Sequence, residues 1–183
     1  MRLACGSWSA PLLRMVGVDL PIYPGKGYSA TFRILRPEQA PYVSTIDDEV
    51  KCAMSRLGDD LRVAGTIELG GFDLSLDSPV AQARCRMLAE RIEAVLPGVC
   101  DTRSEAEGGN PRYWTGLRPA TPTSAPVLGP APGLPNLLLN VGQGALGFTL
   151  AMASGQVVAD LLAGRAPPLP MDGFDAESHG MRG

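Results

Sequence analysis

The chain has 183 residues, 45% of them hydrophobic, which is enough to bury a core in one domain or two small ones. Its 16 Lys and Arg against 19 Asp and Glu leave a net charge of −3 with no basic cluster. That excludes nucleic acid as the main ligand, because phosphate binding needs concentrated positive charge. Cys5, Cys52, Cys85 and Cys100 are too widely spaced for a zinc site or a redox pair and read as buried free thiols. No apolar run reads as long enough to span a bilayer, and the N-terminus lacks the apolar core of a signal peptide. The expected location is the cytoplasm, with peripheral contact at the inner face of the cytoplasmic membrane as an extension of that reading.

In chain order, "RLACG" reads as a short buried strand, and "SAPLLRMVG" as a short helix with Ser9 as its N-cap. The Pro/Gly-rich "DLPIYPGKG" reads as a crossing loop. "YSATFRIL" alternates Tyr28, Ala30, Phe32 and Ile34 on one face, and "LRVAGTIEL" alternates Leu61, Val63, Gly65, Ile67 and Leu69. Gly58, Asp59 and Asp60 between "VKCAMSRL" and the second strand suit a hairpin turn. Together these predict an antiparallel sheet with one buried face. Ser78 and Pro79 then open a helix whose Ala81, Cys85, Leu88, Ile92, Val95 and Leu96 share a face, ended by Pro97-Gly98. Arg84, Arg86, Glu90 and Glu93 fall on its solvated side.

The last third ends in "NLLLNVGQGALGFTLAMASGQVVADLLAGR", a strand, a glycine-rich turn, and a helix over 148–163 stopped by Gly164. Such a turn points backbone N–H groups and the positive end of a helix dipole at a ligand, and glycines let that ligand approach. Close packing of the helix on a sheet explains the same glycines equally well. The single histidine, His179, lies in an aperiodic tail over 166–183 that reads as flexible. Triad hydrolases and most metal sites need a fixed imidazole, so any chemistry here points to a cofactor.

"YWTGLRPATP", the proline-rich loop ending in "PVLG", and the strand–turn–helix above resemble the C-terminal part of FAD-dependent oxidoreductases of the D-amino acid oxidase superfamily, closest to the D-amino acid dehydrogenase small-subunit group. "LACGSWSAPLL", "PIYPGKGYSAT" and "LRVAGTIELGGFD" are similar to further family segments, so the resemblance covers nearly the whole chain apart from the tail. It implies an α+β fold: a substrate-binding domain with an antiparallel or mixed sheet over 23–125, and remnants of a Rossmann-like FAD-binding domain at 1–22 and 126–165. The family has His, Thr and Trp where Gln143, Ala145 and Phe148 stand, and Asp-Gly in place of Thr123 and Ser124. Its opening strand, G-x-G-x-x-G turn and helix have no counterpart here, so the chain looks like the C-terminal half of such an enzyme.

The resemblance implies FAD as cofactor and a D-amino acid as substrate, with hydride passing from the α-carbon to flavin N5 and the resulting imine hydrolysed to a 2-oxo acid and ammonia. Arg118 of "GLRP" matches the arginine that grips the substrate carboxylate with its two parallel donors. Gly142, Gln143, Gly144, Ala145, Leu146, Gly147 and Thr149 match the turn beneath the N1–O2 edge of the flavin, and Gly6, Ser7 and Trp8 the turn that approaches the dinucleotide. Core filling explains Trp8 equally well. Tyr28 and Tyr113 are candidates to border the substrate pocket, with a ring at a strand start or domain seam as the commoner role. Gly155 is expected to mark close helix packing. The implied partners are a polypeptide carrying the N-terminal FAD-binding half, or a second copy in a homo-oligomer, and the chain alone is expected to hold FAD weakly and to be inactive. A flavin-free recognition module and a glycine or sarcosine oxidase-like enzyme are the alternatives.

Overall fold

A computed structural model of the chain describes residues 1–180 and shows a mixed helix-and-sheet protein in two units. One comprises residues 1–25, 69–71 and 117–183, the other 26–68 and 72–116. The outer changeovers fall at 25/26 and 116/117, where the sequence reading has them at 22/23 and 125/126, and residues 69–71 return briefly to the first unit.

The second unit is built on β2 (Tyr23–Arg33), β3 (Thr45–Asp47), β4 (Cys52–Leu57), β5 (Asp60–Glu68) and β6 (Arg112–Ala120), in the spatial order β3-β4-β5-β2-β6, the first three residues of β2 and the last four of β6 counting with the first unit. β4 and β5 form the hairpin expected at Gly58-Asp59, with Leu57 opposite Asp60 and Gly58 at φ 65. Helix α2 (Pro79–Val95) is capped by the Ser78 hydroxyl, which accepts from the Ala81 amide at 3.1 Å. It buries Ala81, Cys85, Leu88 and Ile92 against Tyr28, Ala30, Phe32, Leu61 and Val63.

The alternation read for β5 fails at its end. Between Lys26↔Glu68 and Tyr28↔Gly65, β5 advances three residues where β2 advances two, so a bulge inserts one extra residue, and Thr66 takes φ 59. Ile67 and Leu69 are thereby exposed instead of buried. β2 starts at Tyr23, so "YPGKG" is strand and not loop.

The first unit carries a three-stranded sheet in the order β1-β8-β7, with β1 (Arg2–Leu3) parallel to β8 (Leu134–Val141) and β7 (Val127–Ala131) antiparallel to it. β7 arises from the segment read as a proline-rich loop. It is the sheet edge, where Pro130 is tolerated because an edge has fewer ladder bonds to lose. Helix α1 (Ser9–Arg14) begins at Ser9 itself, whose hydroxyl accepts from the Cys5 amide at 3.1 Å instead of capping the helix. Leu13, Leu20, Val127, Leu139 and Val141 form this unit's core.

The tail is packed through residue 180, contrary to the sequence reading; residues 181–183 lie outside the described residues. The Leu128 amide donates to the Phe174 carbonyl at 2.7 Å, Ala176 joins the core, and His179 Nδ1 lies 3.3 Å from Thr123 Oγ1. Ser124, beside Thr123, holds φ 62, in the left-handed region that favours glycine. Ser124→Gly is therefore expected to stabilise the chain by about 1 kcal/mol, read as a shifted urea midpoint.

α3 (Gly147–Leu162) follows a 3-10 turn (Gly144–Leu146). Against the sequence reading, 144–162 is long and apolar enough to cross a membrane by length and composition alone. Ser154, Val157, Val158 and Asp160 are buried within the protein, and Asp160 accepts from Gln156 and Arg165, both at 2.8 Å, so one side of the helix belongs to this unit.

Candidate functional site

β1 and β8 run parallel as neighbours, with Arg2 opposite Leu138 and Leu3 opposite Leu139. Each leads at its carboxyl end into a glycine turn: Gly6–Trp8 after β1, and Gly142 to Gly147 after β8. Ligands of open α/β sheets bind outside such carboxyl ends.

Three glycines of these turns have left-handed backbones but different surroundings. Gly142 has φ 78, and a Cβ there would stand 2.6 Å from Thr121 Cγ2. Gly6 and Gly144 both have φ 55, and a Cβ on either would meet nothing within 4 Å. Gly142 is thus required by packing, whereas Gly6 and Gly144 leave open space. Gly142→Ala is expected to cost about 2–4 kcal/mol from combined overpacking and left-handed strain, and Gly144→Ala about 1 kcal/mol, both read by urea unfolding.

The Ser7 hydroxyl is buried with no hydrogen-bond partner among the described residues, as are Thr66 Oγ1 and His179 Nε2, and of the three it is the one beside a glycine turn. Trp8 is about half exposed. Among the described residues no side chain caps α3; the 3-10 turn runs directly into it, with the Leu146 amide donating to the Gln143 carbonyl at 3.1 Å. Ala145, Leu146 and Thr149 are exposed at the helix mouth. The Gln143 side-chain amide is engaged, donating to Asn140 Oδ1. Open glycines, an orphaned hydroxyl and an uncapped helix start fit an anionic dinucleotide cofactor such as FAD.

Arg118 is half-buried on β6, and burial pulls its guanidinium below the usual arginine value while leaving it charged. Thr121, three residues on, is the side chain packed against Gly142. The Cα of Arg118 therefore lies within about 11 Å of that of Thr121, and β6 ends against the glycine turn. Thr121, Asn140 and Ser7 support the site through packing or a single polar atom, and nothing in the sequence singles out the first two.

Tyr28 is a core residue, 1% exposed, with its hydroxyl donating to Glu68; burial and that bond push its pKa up. It offers no surface to a substrate in this chain. Tyr113 is half-buried, edge-on to Phe32 with centroids 6.4 Å apart. Gly155 faces open space on α3, so close packing is not what this chain uses it for.

Residues 3–161 match the sequence profile of the FAD dependent oxidoreductase family, and the chain belongs to that family. It is 45% identical over 166 residues to the D-amino acid dehydrogenase of Xanthobacter autotrophicus, and 46% identical over 165 residues to that of Dechloromonas aromatica. These alignments cover 91% and 90% of the chain but 37% of each relative, so the chain spans a little over a third of their length. Among solved structures, glycine oxidase from Geobacillus kaustophilus superposes with a TM-score of 0.78 at 26% identity, over 96% of this chain and 44% of that one. L-Proline dehydrogenase from P. horikoshii shares the fold at TM-score 0.78 and 19% identity.

Proposed function

We propose that this chain forms the C-terminal part of an FAD-dependent enzyme that oxidises D-amino acids to 2-oxo acids and ammonia. The observation that carries the reading is the paired open turns at Gly6 and Gly144, beside the uncapped α3 and the orphaned Ser7 hydroxyl. The D-amino acid dehydrogenases at 45% and 46% identity support the substrate class. When bound, FAD would accept the hydride that leaves the substrate's α-carbon.

The residues of this chain contribute binding and electrostatics. Amides of the turn from Gly142 to Gly147, other than that of Leu146, which donates to the Gln143 carbonyl, would hold the electron-rich rim of the cofactor with fixed N–H dipoles that need no reorganisation during reaction. The Ser7 hydroxyl would gain its missing partner. The Arg118 fork would clamp the substrate carboxylate, and half-burial strengthens that charged pair relative to bulk water. Fixing the carboxylate orients the α-carbon, which hydride transfer needs more than it needs an acid or base.

In this reading the rest of the FAD-binding domain would lie in the portion of the relatives that this chain does not span, and the chain without it would hold FAD weakly or not at all. The test is to join the chain to the N-terminal portion of the Xanthobacter autotrophicus enzyme. A flavoprotein bleached by D-alanine under nitrogen is the expected product. The glycine oxidase match at TM-score 0.78 favours a second reading, in which glycine or sarcosine bleaches it instead. A colourless product would leave only a flavin-free recognition module.

A further inference from the structure

Within the first unit, α3, β7 and the tail enclose an apolar crevice of about 80 Å³ that the site described above does not use. Helix α3 contributes Leu150 and Val157, β7 contributes Leu128, and the tail contributes Met171 and Phe174. Leu128 and Val157 are buried, whereas Ala153 and Leu169, which also line the crevice, are exposed and stand at its opening.

The chemistry of the lining selects the occupant. Among the described residues no charged side chain borders the crevice, and the Ser154 hydroxyl in its wall is turned back on its own helix, 2.9 Å from the Leu150 carbonyl and 3.3 Å from that of Ala151. An amino acid zwitterion, a phosphate or a metal ion would shed water there without finding a partner. An uncharged apolar guest loses nothing and restores the dispersion contacts that an unfilled gap lacks. Dry apolar cavities of roughly 150 Å³ hold benzene, so a space about half that size suits a smaller molecule. The crevice is also coupled to the tail. The Leu128 amide donates to the Phe174 carbonyl at 2.7 Å on the open edge of the sheet, so freeing the tail there breaks that bond and dissolves the crevice together.

We propose that this crevice binds a small uncharged apolar molecule, of the size class of xenon and dioxygen, and that its occupant pins the tail to α3 and to the edge of β7. Neither flavin nor Arg118 takes part, so binding is measured on the chain alone and its failure leaves the function proposed above untouched.

The test is methyl and amide NMR of the whole chain under xenon pressure, repeated with dissolved dioxygen. Xenon should shift the methyls of Leu128, Leu150, Val157 and Met171 saturably and leave the exposed methyls of Met152 and Leu162 in place. Dioxygen, being paramagnetic, should broaden the same four residues, and xenon should relieve that broadening. At a xenon concentration ten times its Kd, hydrogen exchange of the Leu128 amide should slow about tenfold, because only the closed form binds. Ala153→Leu places a larger side chain at the opening from an exposed helical position that favours leucine, so the fold should stand and both effects should vanish. Shifts that never saturate or that spread equally to Met152 and Leu162 overturn the site, as does full binding by Ala153→Leu. Unchanged Leu128 exchange at saturation overturns the link to the tail, and displacement of xenon by methylammonium overturns the apolar class.

Discussion

Replacing Arg118 by alanine, in the chain joined to an FAD-binding N-terminal portion, should lower kcat/KM for D-alanine by about 10²–10³-fold, the range for truncating one partner of a hydrogen-bonded charge pair. Flavin content should not change, because the cofactor contacts assigned to this chain lie in the two glycine turns. Arg118→Lys keeps the charge and loses the planar fork, so it should recover about a tenfold share of the loss. The loss should appear with carboxylate substrates and vanish from the comparison when a substrate amide is used. Equal activity in wild type and Arg118→Ala would remove the carboxylate handle from the proposal.

The second large effect concerns the outer face of α3. Phe148, Met152, Gly155, Ala159 and Leu162 recur at spacings of four, three, four and three, which places them on one stripe of the helix. Phe148 is 99% and Met152 86% exposed, and Gly155 meets nothing. An apolar stripe with a small residue at its middle suits another helix, and the occupant proposed here is the N-terminal FAD-binding portion supplied by the remaining length of the relatives. The double change Phe148→Asp and Met152→Asp should weaken binding of that portion, added as a separate polypeptide, by about 10²-fold or more, since burying each large apolar side chain is worth about 1.5–3 kcal/mol. Undiminished binding by the double variant would move the docking face elsewhere.

The sequence made α2 and the β4–β5 hairpin legible because local signals and hydrophobic period agree there: Ser78-Pro79 caps a helix whose apolar residues recur on one face, and Gly58-Asp59 suits a two-residue turn. β7 was hidden because Pro130 and the prolines flanking the strand signal a loop, and only its edge position lets Pro130 stand in a strand. The bulge at Thr66 was hidden because a non-glycine residue at positive φ leaves no mark in the hydrophobic pattern. The glycine turn was recognisable as a candidate site, but the division of labour within it was not. Gly142 is set by Thr121, a neighbour distant in sequence, while Gly144 and Gly155 face space that none of the described residues fills. Tyr28 looked like a pocket residue because of its motif, yet the strand pairing carries it into the core and onto Glu68.

The most direct test is a diffraction structure of the joined enzyme with FAD and benzoate. The flavin rim is expected against the amides of Gly142 to Gly147, with the benzoate carboxylate on the Arg118 guanidinium. A flavin seated away from the mouth of α3, or a benzoate held by other groups while Arg118 faces an acidic side chain, would contradict that arrangement.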